Sequence, residues 1–220
     1  MLKEVALKHG PTVVCMAKPL AHTPGSSMHI HQSLVEINGG RNVFSDADGK
    51  PTATFRHFIG GLQACMADFT ALFAPNVNSY QRLCHPYASP NNACWSEDNR
   101  AAGLRIPASS PVARRVENRL PGADTNPYLA IAASLAAGLY GIEQQLEPAP
   151  AIQGEFEVPE HLSLPCTLHA ALERLKHSAL ARELFGTEFI EGYIATKTLE
   201  LTSFFDEITP WERRVLAAQA

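Results

Sequence analysis

Two histidines and a hydroxyl group alternate along residues 28–33, which read MHIHQS. Successive side chains of a β-strand point to opposite faces, so His29, His31 and Ser33 would share one face. Imidazoles and a hydroxyl on one face can bind a metal ion and a phosphate group. A polar strand face with two solvated histidines explains the spacing equally simply, so the motif alone is weak evidence for a site.

A single acidic residue lies within a block of five arginines between residues 99 and 119, a window that contains no lysine. In the segment RRVENR, strand alternation places Arg115, Glu117 and Arg119 on one face. Two neighbouring arginines favour the ionised carboxylate, which could then ligate a metal. The planar guanidinium group suits phosphate and carboxylate. A surface ladder of ion pairs is the alternative interpretation.

The remaining arginines can join such a site only if the backbone departs from a straight strand. Arg100 and Arg105 are five positions apart, which gives them opposite parity in a straight strand. Both can face one site only if Arg100 precedes the strand or a bulge intervenes. Arg82 ends the segment NSYQR before a proline-rich loop, where ordinary loop packing would also explain it.

Composition indicates one globular domain. The chain has 220 residues, of which 45% are hydrophobic and 18% charged, and its formal net charge is −4. This charge does not favour nucleic acid as a partner. The five cysteines are an odd number without a CxxC pair, which is typical of a reduced, cytoplasmic protein.

No segment has the pattern of a signal peptide or of a membrane span. Charged residues interrupt the first ten positions. The most apolar run, residues 127–142, is alanine-rich and shorter than the roughly 20 residues that a span needs. We therefore expect a buried helix there and no membrane partner.

The pattern of secondary structure predicts an α+β fold, with strands early and helices late. Strands are expected at residues 12–17, 28–37, 42–44, 100–106 and 113–120. Helices are expected at residues 2–9, 54–73, 127–146, 167–176, 178–185 and 187–208, with a short one after 210. Residues 79–96 are expected to be irregular. Asn126 should cap the helix that Pro127 begins.

Five segments in order resemble the glutamine synthetase family. They are GSSMHIHQS at 25–33, NSYQR at 78–82, WSEDNRAAGLRIP at 95–107, ARRVENR at 113–119 and NPYLA at 126–130. Their order and spacing are close to those of the family, and the similarity is strong over residues 12–147. Five motifs in the same order are very unlikely to match by chance. The match therefore argues against a solvated strand face, a surface ion-pair ladder and ordinary loop packing as explanations of the separate motifs.

The resemblance implies the catalytic-domain fold of that family, a curved antiparallel sheet backed by helices. Residues 1–220 would then form one partial catalytic domain. The family's small N-terminal β-grasp domain and the first part of its catalytic domain have no counterpart in this sequence, so we expect an N-terminally truncated domain. The carboxylates that complete the family's metal sites lie in that absent part, so we expect the chain to be inactive alone or to need a separately encoded N-terminal half.

The resemblance also implies an activity. Family members use ATP to convert the γ-carboxylate of glutamate to a γ-glutamyl phosphate, which an amine then attacks. Mg²⁺ or Mn²⁺ neutralises the phosphates during this transfer. Members assemble as large homo-oligomeric rings. The expected cofactors are therefore ATP and Mg²⁺ or Mn²⁺, and the expected partners are glutamate, an amine acceptor and further copies of the chain.

Residue roles follow from matching positions in the motifs. His29 and Glu117 match metal ligands. The positions that match ATP contacts are His31, Ser33, Arg100, Arg105 and Arg115. The positions that match glutamate contacts are Gly25, Arg82 and Arg119. Arg100 and Arg119 are the expected catalytic residues.

The acceptor amine is indicated by a departure from the family pattern. Ammonia-using members carry a glutamate in the flap over the substrate, and this chain has Ala88 at that position in PYASP, residues 86–90. Alanine cannot attract ammonium or take its proton, but it leaves room for a bulkier amine. The pattern resembles the γ-glutamylpolyamine synthetase branch, so putrescine is favoured and ammonia is the alternative.

Two further alternatives remain open. A chain without the family's upstream carboxylates could be a non-catalytic relative that binds nucleotide or glutamate or assembles with full-length subunits. A cupin-like metal protein would use the HxH motif but would leave the arginines unexplained. Phe156 lies near the tyrosine that is adenylylated in bacterial ammonia-using members, so that regulation is not expected.

Overall fold

A computed structural model describes residues 2–84 and 90–219 of the chain. This part of the chain contains the helices α1 (Leu2–Lys8), α2 (Ala53–Phe73), α3 (Val77–Leu83), α4 (Pro127–Glu143), α5 (Leu168–His177), α6 (Ala179–Phe185), α7 (Thr187–Phe205) and α8 (Pro210–Leu216). Its strands are β1 (Ile30–Gln32), β2 (Trp95–Glu97), β3 (Leu104–Ile106) and β4 (Val116–Asn118). The predicted α+β class is confirmed.

The strands form one small sheet in the order β1-β4-β3-β2. β4 pairs antiparallel with both β1 and β3, so that Glu117 lies between His31 on one side and Arg105 on the other. β2 and β3 pair parallel. The expectation of a wholly antiparallel sheet is therefore wrong in this one pair. The register brings a histidine, a glutamate and an arginine from three strands to one place.

Helices α2 and α4 pack closely across the back of the sheet. Asn126 caps α4 by accepting hydrogen bonds from the amides of Tyr128 and Leu129, and Pro127 occupies the first turn, as predicted. Gly61 of α2 lies directly against α4, where a Cβ atom would come within 2.1 Å of the Ala137 carbonyl oxygen. This contact requires glycine because the two backbones touch.

The two faces of α4 differ in an unusual way. Small residues such as Ala130, Ala133 and Ala137 are buried against α2 and the sheet. Large apolar side chains face outward at helical spacing, with exposed fractions from 37% to 83%: Tyr128, Ile131, Leu135 and Leu139. The buried face gains its stability from close approach rather than from side-chain size.

An aromatic cluster joins α2 to the loop before it. Phe44 lies with its ring centroid 5.3 Å from those of Phe55 and Phe58. Arg114 fixes the same loop by donating to Ser45 Oγ at 2.6 Å and to the Gly49 carbonyl at 3.0 Å. Arg114 therefore has a structural role, since it ties the loop before α2 to the segment that precedes β4.

Several predicted strands are shorter than expected or absent. Residues 12–17 form no strand, since no other strand lies beside them in the described chain, and the Ala17 carbonyl instead accepts from the Ser26 amide. The strand predicted at 28–37 is limited to β1, and residues 42–44 contribute only the isolated bridge between Val35 and Asn42. Pairing partners, which a local pattern does not reveal, decide these lengths.

Residues 79–96 are more regular than predicted. Helix α3 begins at Val77 because Asn76 and Ser79 form a reciprocal capping box. β2 occupies the end of the segment. The helices predicted in the second half of the chain are all present, with ends that differ by at most three residues. Within the described residues, no helix has the length and apolar character needed to cross a lipid bilayer.

Candidate functional site

Glu117 is the centre of a charged cluster on the sheet. It lies in the middle of β4 with only 3% of its surface exposed. Its Oε2 atom accepts from Arg105 Nη1 at 2.8 Å, and its Oε1 atom accepts from Arg119 Nη1 at 2.9 Å. His29 Nδ1 lies 2.9 Å from the same Oε1 atom. The sheet therefore surrounds one carboxylate with cationic and hydrogen-bond donor groups.

The carboxylate of Glu117 is ionised despite its burial. Desolvation alone would raise its pKa, but the Arg105 hydrogen bond and the charges of Arg119 and Arg105 outweigh that effect. The pKa therefore lies below its ordinary value. Arg105, from a different strand, takes the place beside Glu117 that the sequence pattern gave to Arg115.

His29 presents a lone pair at a buried position. Burial and the nearby charge of Arg119 lower its pKa, so the ring is neutral at pH 7. A carboxylate only accepts hydrogen bonds, so Nδ1 carries the proton that is shared with Glu117. Nε2 is then the unprotonated atom, and it is buried without a hydrogen-bond partner among the described residues. That atom is able to ligate a cation.

His31 is oriented by Arg115. The Nε atom of Arg115 donates to His31 Nδ1 at 3.1 Å, and Arg115 also donates to the Ala113 carbonyl. Because Nδ1 accepts, the proton of neutral His31 resides on Nε2, which lies 3.8 Å from Glu117 Oε1. His31 therefore presents a polar N–H group on the same face as the cluster.

Asp98 fixes the position of Arg105. Its Oδ1 atom accepts from Arg105 Nη2 at 2.5 Å and from Nε at 3.2 Å. Asp98 follows β2 with a φ of 49°, an uncommon conformation outside glycine. A role for Asp98 was not predicted from the sequence. The only signal in the sequence is an acidic residue seven positions before Arg105. The guanidinium of Arg105 is thus held by two carboxylates at once.

Arg82 and Gly25 lie together behind the cluster. Arg82 is 1% exposed, and it donates to the Leu120 carbonyl and to Ser27 Oγ. Burial lowers its pKa to about 10, so it remains charged at pH 7. A Cβ atom on Gly25 would come within 2.6 Å of Arg82 Cγ. The predicted pair is therefore in contact, and glycine is required there because a Cβ atom would also come within 2.5 Å of the Ala17 carbonyl oxygen.

The structure does not bring every predicted residue into the cluster. Arg100 is exposed in a turn before β3, as parity required, and the contacts of the described residues do not join it to Glu117. Ser33 is exposed one position after β1. Ala88 of the predicted flap, with residues 85–89 as a whole, lies outside the described residues.

A polar chain under the sheet was not predicted. Asn118 Nδ2 donates to Ser134 Oγ at 3.1 Å, and Ser134 Oγ donates to Gln32 Oε1 at 2.5 Å. These bonds tie β4 to α4 and β1 through buried groups. Their partners are more than a dozen residues apart, so a local pattern gives no signal for them.

The donor set fits a divalent cation only in part. His29 Nε2 and the Glu117 carboxylate are suitable ligands. The described residues contain no group of three or more His, Cys, Asp or Glu side chains that could hold a metal ion. The described chain therefore offers two ligands of a larger set.

A separate cavity of about 570 Å³ lies between α7 and the adjoining ends of α2 and α4. Phe189, Tyr193 and Lys197 line it. None of the residues around Glu117 takes part in this cavity. The cavity is therefore not part of the charged cluster.

Comparison of the sequence with protein families identifies one match. The family described as glutamine synthetase, catalytic domain, matches residues 1–216. This span includes every residue of the charged cluster.

Individual relatives match over nearly the whole chain. Glutamate--isopropylamine ligase of Pseudomonas sp is 40% identical over 216 residues, which cover 96% of this chain and 47% of the relative. Glutamine synthetase of Thermus thermophilus is 38% identical and gamma-glutamylputrescine synthetase PuuA of Escherichia coli is 37% identical. Each match covers 96% of this chain, and 49% and 45% of the respective relative.

The fold has a solved counterpart. The structure of apo GmaS without ligand superposes with a TM-score of 0.84 at 35% identity, over 97% of this chain and 50% of that chain. The chain thus spans about half the length of the curated relatives it matches.

Proposed function

Since this chain belongs to the glutamine synthetase family, we propose that it supplies the nucleotide- and glutamate-binding half of an ATP-dependent ligase. The proposed reaction joins the γ-carboxylate of glutamate to an amine through a γ-glutamyl phosphate. The observation that carries the proposal is the buried carboxylate of Glu117 between Arg105, Arg119 and His29.

The arginines are proposed to stabilise phosphate charge. Phosphoryl transfer depends on positioned cations that neutralise charge on the transferring group. Arg105 is already held by Asp98 and Glu117, so it presents a rigid guanidinium with little entropy left to lose. Arg115 would contact the same nucleotide from the neighbouring strand, with His31 and Ser33 beside it.

Arg100 and Arg119 are the proposed catalytic residues. Arg119 lies beside Glu117, where it could neutralise the oxygen atoms of the transferring phosphoryl group. Arg100 is exposed before β3 and would have to turn toward the nucleotide when it binds. The proposal therefore requires more movement of Arg100 than of Arg105.

The metal is proposed to lie at His29 and Glu117. Mg²⁺ or Mn²⁺, when bound, supplies positive charge that neutralises the phosphate oxygens. His29 would contribute Nε2, and Glu117 would contribute a carboxylate oxygen that now accepts from arginine. The remaining ligands would come from outside the described residues.

The glutamate position is proposed at Gly25, Arg82 and Arg119. Arg82 is charged and buried, and its hydrogen bonds are to protein groups. Its positive field, with that of Arg119, would attract the substrate carboxylate. Gly25 is proposed to leave room for Arg82, which packs against the position that a Cβ atom would occupy.

We propose an alkyl amine as acceptor, with putrescine favoured over ammonia. Relatives named for isopropylamine and putrescine support this choice, and Ala88 removes the carboxylate that would favour ammonium. The relative named glutamine synthetase is almost equally similar, so similarity alone does not select the acceptor.

A second candidate function is a non-catalytic nucleotide-binding relative. It is favoured by the two-ligand metal position among the described residues. Such a protein would bind ATP through the same arginines and transfer no phosphoryl group.

Calorimetric titration with ATP and Mg²⁺ tests nucleotide binding. Arg105→Gln should weaken ATP binding at least about tenfold, since a charge-assisted contact contributes about 1.5–3 kcal/mol. Arg41→Gln is the matched control, because Arg41 forms an exposed ion pair with Glu36 elsewhere on the surface. A folded wild-type chain that does not bind ATP would overturn both candidate functions.

A product assay separates the two candidates. Glutamate, ATP and Mg²⁺ are incubated with putrescine, isopropylamine or ammonium, and γ-glutamyl amides are measured by mass spectrometry. Preferential formation of γ-glutamylputrescine supports the proposed ligase, and a larger yield of glutamine overturns the acceptor. ATP binding without any amide product, even when an N-terminal half that carries the remaining metal ligands is supplied as a separate chain, overturns the ligase and supports the non-catalytic candidate.

A further inference from the structure

Two cysteines that are distant in sequence meet at the end of helix α3. The Cys84 thiol lies with Sγ 3.6 Å from the Cys166 carbonyl oxygen, across a separation of 82 residues. The two thiols are therefore neighbours in the folded chain.

Asn91 contacts both sulfur atoms. Its Nδ2 atom lies 3.1 Å from Cys166 Sγ and 3.7 Å from Cys84 Sγ. The same nitrogen donates to the Leu164 carbonyl at 3.2 Å. A single amide group thus holds both thiols against the segment that precedes α5.

Accessibility distinguishes this pair from the other cysteines. Cys84 and Cys166 are both exposed, whereas Cys65 and Cys94 are buried. Cys15 is exposed but lies in a different region, along the surface lined by Val13 and Val14. External oxidants can reach the pair, and each of its thiols has a partner thiol beside it.

We propose that Cys84 and Cys166 form a redox modification site, a dithiol that low-molecular-weight disulfides convert to an intramolecular disulfide. The contact geometry and exposure of the two thiols carry this proposal, and it does not rest on the proposed ligase function. The reduced form is the one that the structure describes.

The chemistry is two successive thiol–disulfide exchanges. Cys166 loses its proton and attacks one sulfur of the external disulfide, which releases one small thiol and leaves a mixed disulfide. Cys84 then loses its proton and attacks Cys166 Sγ, which releases the second small thiol. Two electrons and two protons pass from the cysteine pair to the external disulfide.

The raised pKa of Cys84 slows its own attack. Although Cys84 is exposed as a whole residue, desolvation of its sulfur atom raises the pKa of the thiol to about 12, and the interaction with Cys166 contributes to this shift. Such a thiol is a poor first nucleophile at neutral pH, so closure should be slow at pH 7 and faster at pH 9.

The bond would link two elements of the fold. Cys84 directly follows α3, which carries Arg82, and Cys166 lies two residues before α5. Closing a loop of this length restricts the unfolded chain. We expect the oxidised protein to melt about 5 °C higher than the reduced protein.

Oxidised glutathione is the probe. The purified chain is incubated with it at pH 8, free thiols are alkylated, and peptides are mapped by mass spectrometry without reduction. A crosslink between the peptides containing Cys84 and Cys166, reversed by dithiothreitol, supports the proposal. Separate alkylation of both residues, or a crosslink of either one to Cys15 or to a second chain, overturns it.

Serine variants supply the controls. C15S should form the crosslink at the wild-type rate, because Cys15 lies elsewhere. C84S should stop at a mixed disulfide on Cys166, detected by the added mass of one glutathione. Complete absence of glutathione from a folded C84S protein overturns the assigned order of attack. The wild-type peptide map decides the disulfide itself even if a variant does not fold.

Discussion

The Nδ1 atom of His29, one position before β1, lies 2.9 Å from the Oε1 atom of Glu117 in the antiparallel neighbour β4. This contact fixes the tautomer of the histidine and directs Nε2 away from the carboxylate. Histidines that ligate metals commonly donate their other ring N–H to a carboxylate. Glu117 therefore orients His29 as well as pairing with arginine.

Removing the charge of Glu117 should destabilise the fold. In Glu117→Gln, Arg105 and Arg119 lose the anion between them at a site that is almost fully buried. Breaking such a pair costs about 3 kcal/mol in the free energy of unfolding at pH 7. Urea denaturation followed by circular dichroism measures this loss.

Glu147→Gln is the matched control for that variant. Glu147 also pairs with one arginine and one histidine, Arg56 and His57, but 58% of its side chain is exposed. The control should change the free energy of unfolding by less than about 1 kcal/mol. Equal losses in the two variants would show that burial of Glu117 has no energetic role.

Acid should weaken the fold in two steps. The His29 pKa is lowered in the folded chain, so the unfolded chain takes up its proton first as pH falls below 6.5. The Glu117 pKa is also lowered, so its contribution is present above pH 4.5 and is lost as pH falls through the folded value. Stability should therefore rise with pH in both ranges.

Melting temperatures from pH 3 to 8 test these signs. His29→Gln should flatten the slope just below pH 6.5, and Glu117→Gln should flatten the slope below pH 4.5. A steeper slope in either variant than in the wild type would contradict the assigned direction of the pKa shift.

The contact between α2 and α4 should not accept a side chain at Gly61. In Gly61→Ala the new Cβ atom would meet backbone atoms of Ala137 and Gly141 at 2.1–2.6 Å. Overpacking of this kind costs about 1–3 kcal/mol. Gly192→Ala is the control, because no atom lies within 4 Å of its Cβ position in α7, and it should stabilise by about 0.5–1 kcal/mol.

Both glycine variants are compared by denaturant midpoint at constant slope. A Gly61→Ala protein as stable as the wild type would mean that the two helices separate at little cost.

Asp98 should affect nucleotide binding more than folding. Asp98→Asn removes one of the two carboxylates that hold Arg105, and 56% of the Asp98 side chain is exposed. If Arg105 contacts ATP, the affinity of the Asp98→Asn protein for ATP should fall about two- to fivefold. Its free energy of unfolding should change by less than about 1 kcal/mol. Glu36→Gln, which breaks the exposed pair with Arg41, should leave the affinity unchanged.

Calorimetry with ATP and Mg²⁺ gives both affinities. A loss of affinity in Glu36→Gln as large as that in Asp98→Asn would assign the effect to net charge rather than to the position of Arg105.

The sequence predicts the parts of the site that follow from strand alternation. His29 and His31 lie on one face, and Glu117 and Arg119 are adjacent, as their spacing required. Arg105 beside Glu117 depends on the register between β3 and β4, which no local pattern contains. The pairing of Cys84 with Cys166 likewise depends on the packing of distant elements.

The fold divides in the same way. Helix α4 was predicted closely because Asn126 and Pro127 mark its start. The strand expected at residues 12–17 was wrong because a β-rich composition does not supply a pairing partner. Helix α3 was not predicted because the local sequence is rich in asparagine, which is typical of irregular structure. The helix begins there because the side chains of Asn76 and Ser79 form its cap.

Helix α4 reverses the usual rule for tolerating substitution. On most surface helices, buried leucines are the sensitive positions and small outward residues are not. Here Ala137→Leu should be severely disruptive, whereas Tyr128→Gln, at a position that is 83% exposed, should leave the denaturant midpoint of the isolated chain nearly unchanged. In this helix, the most hydrophobic positions are therefore the ones that tolerate substitution best. The positions with the smallest residues are the ones that tolerate it least.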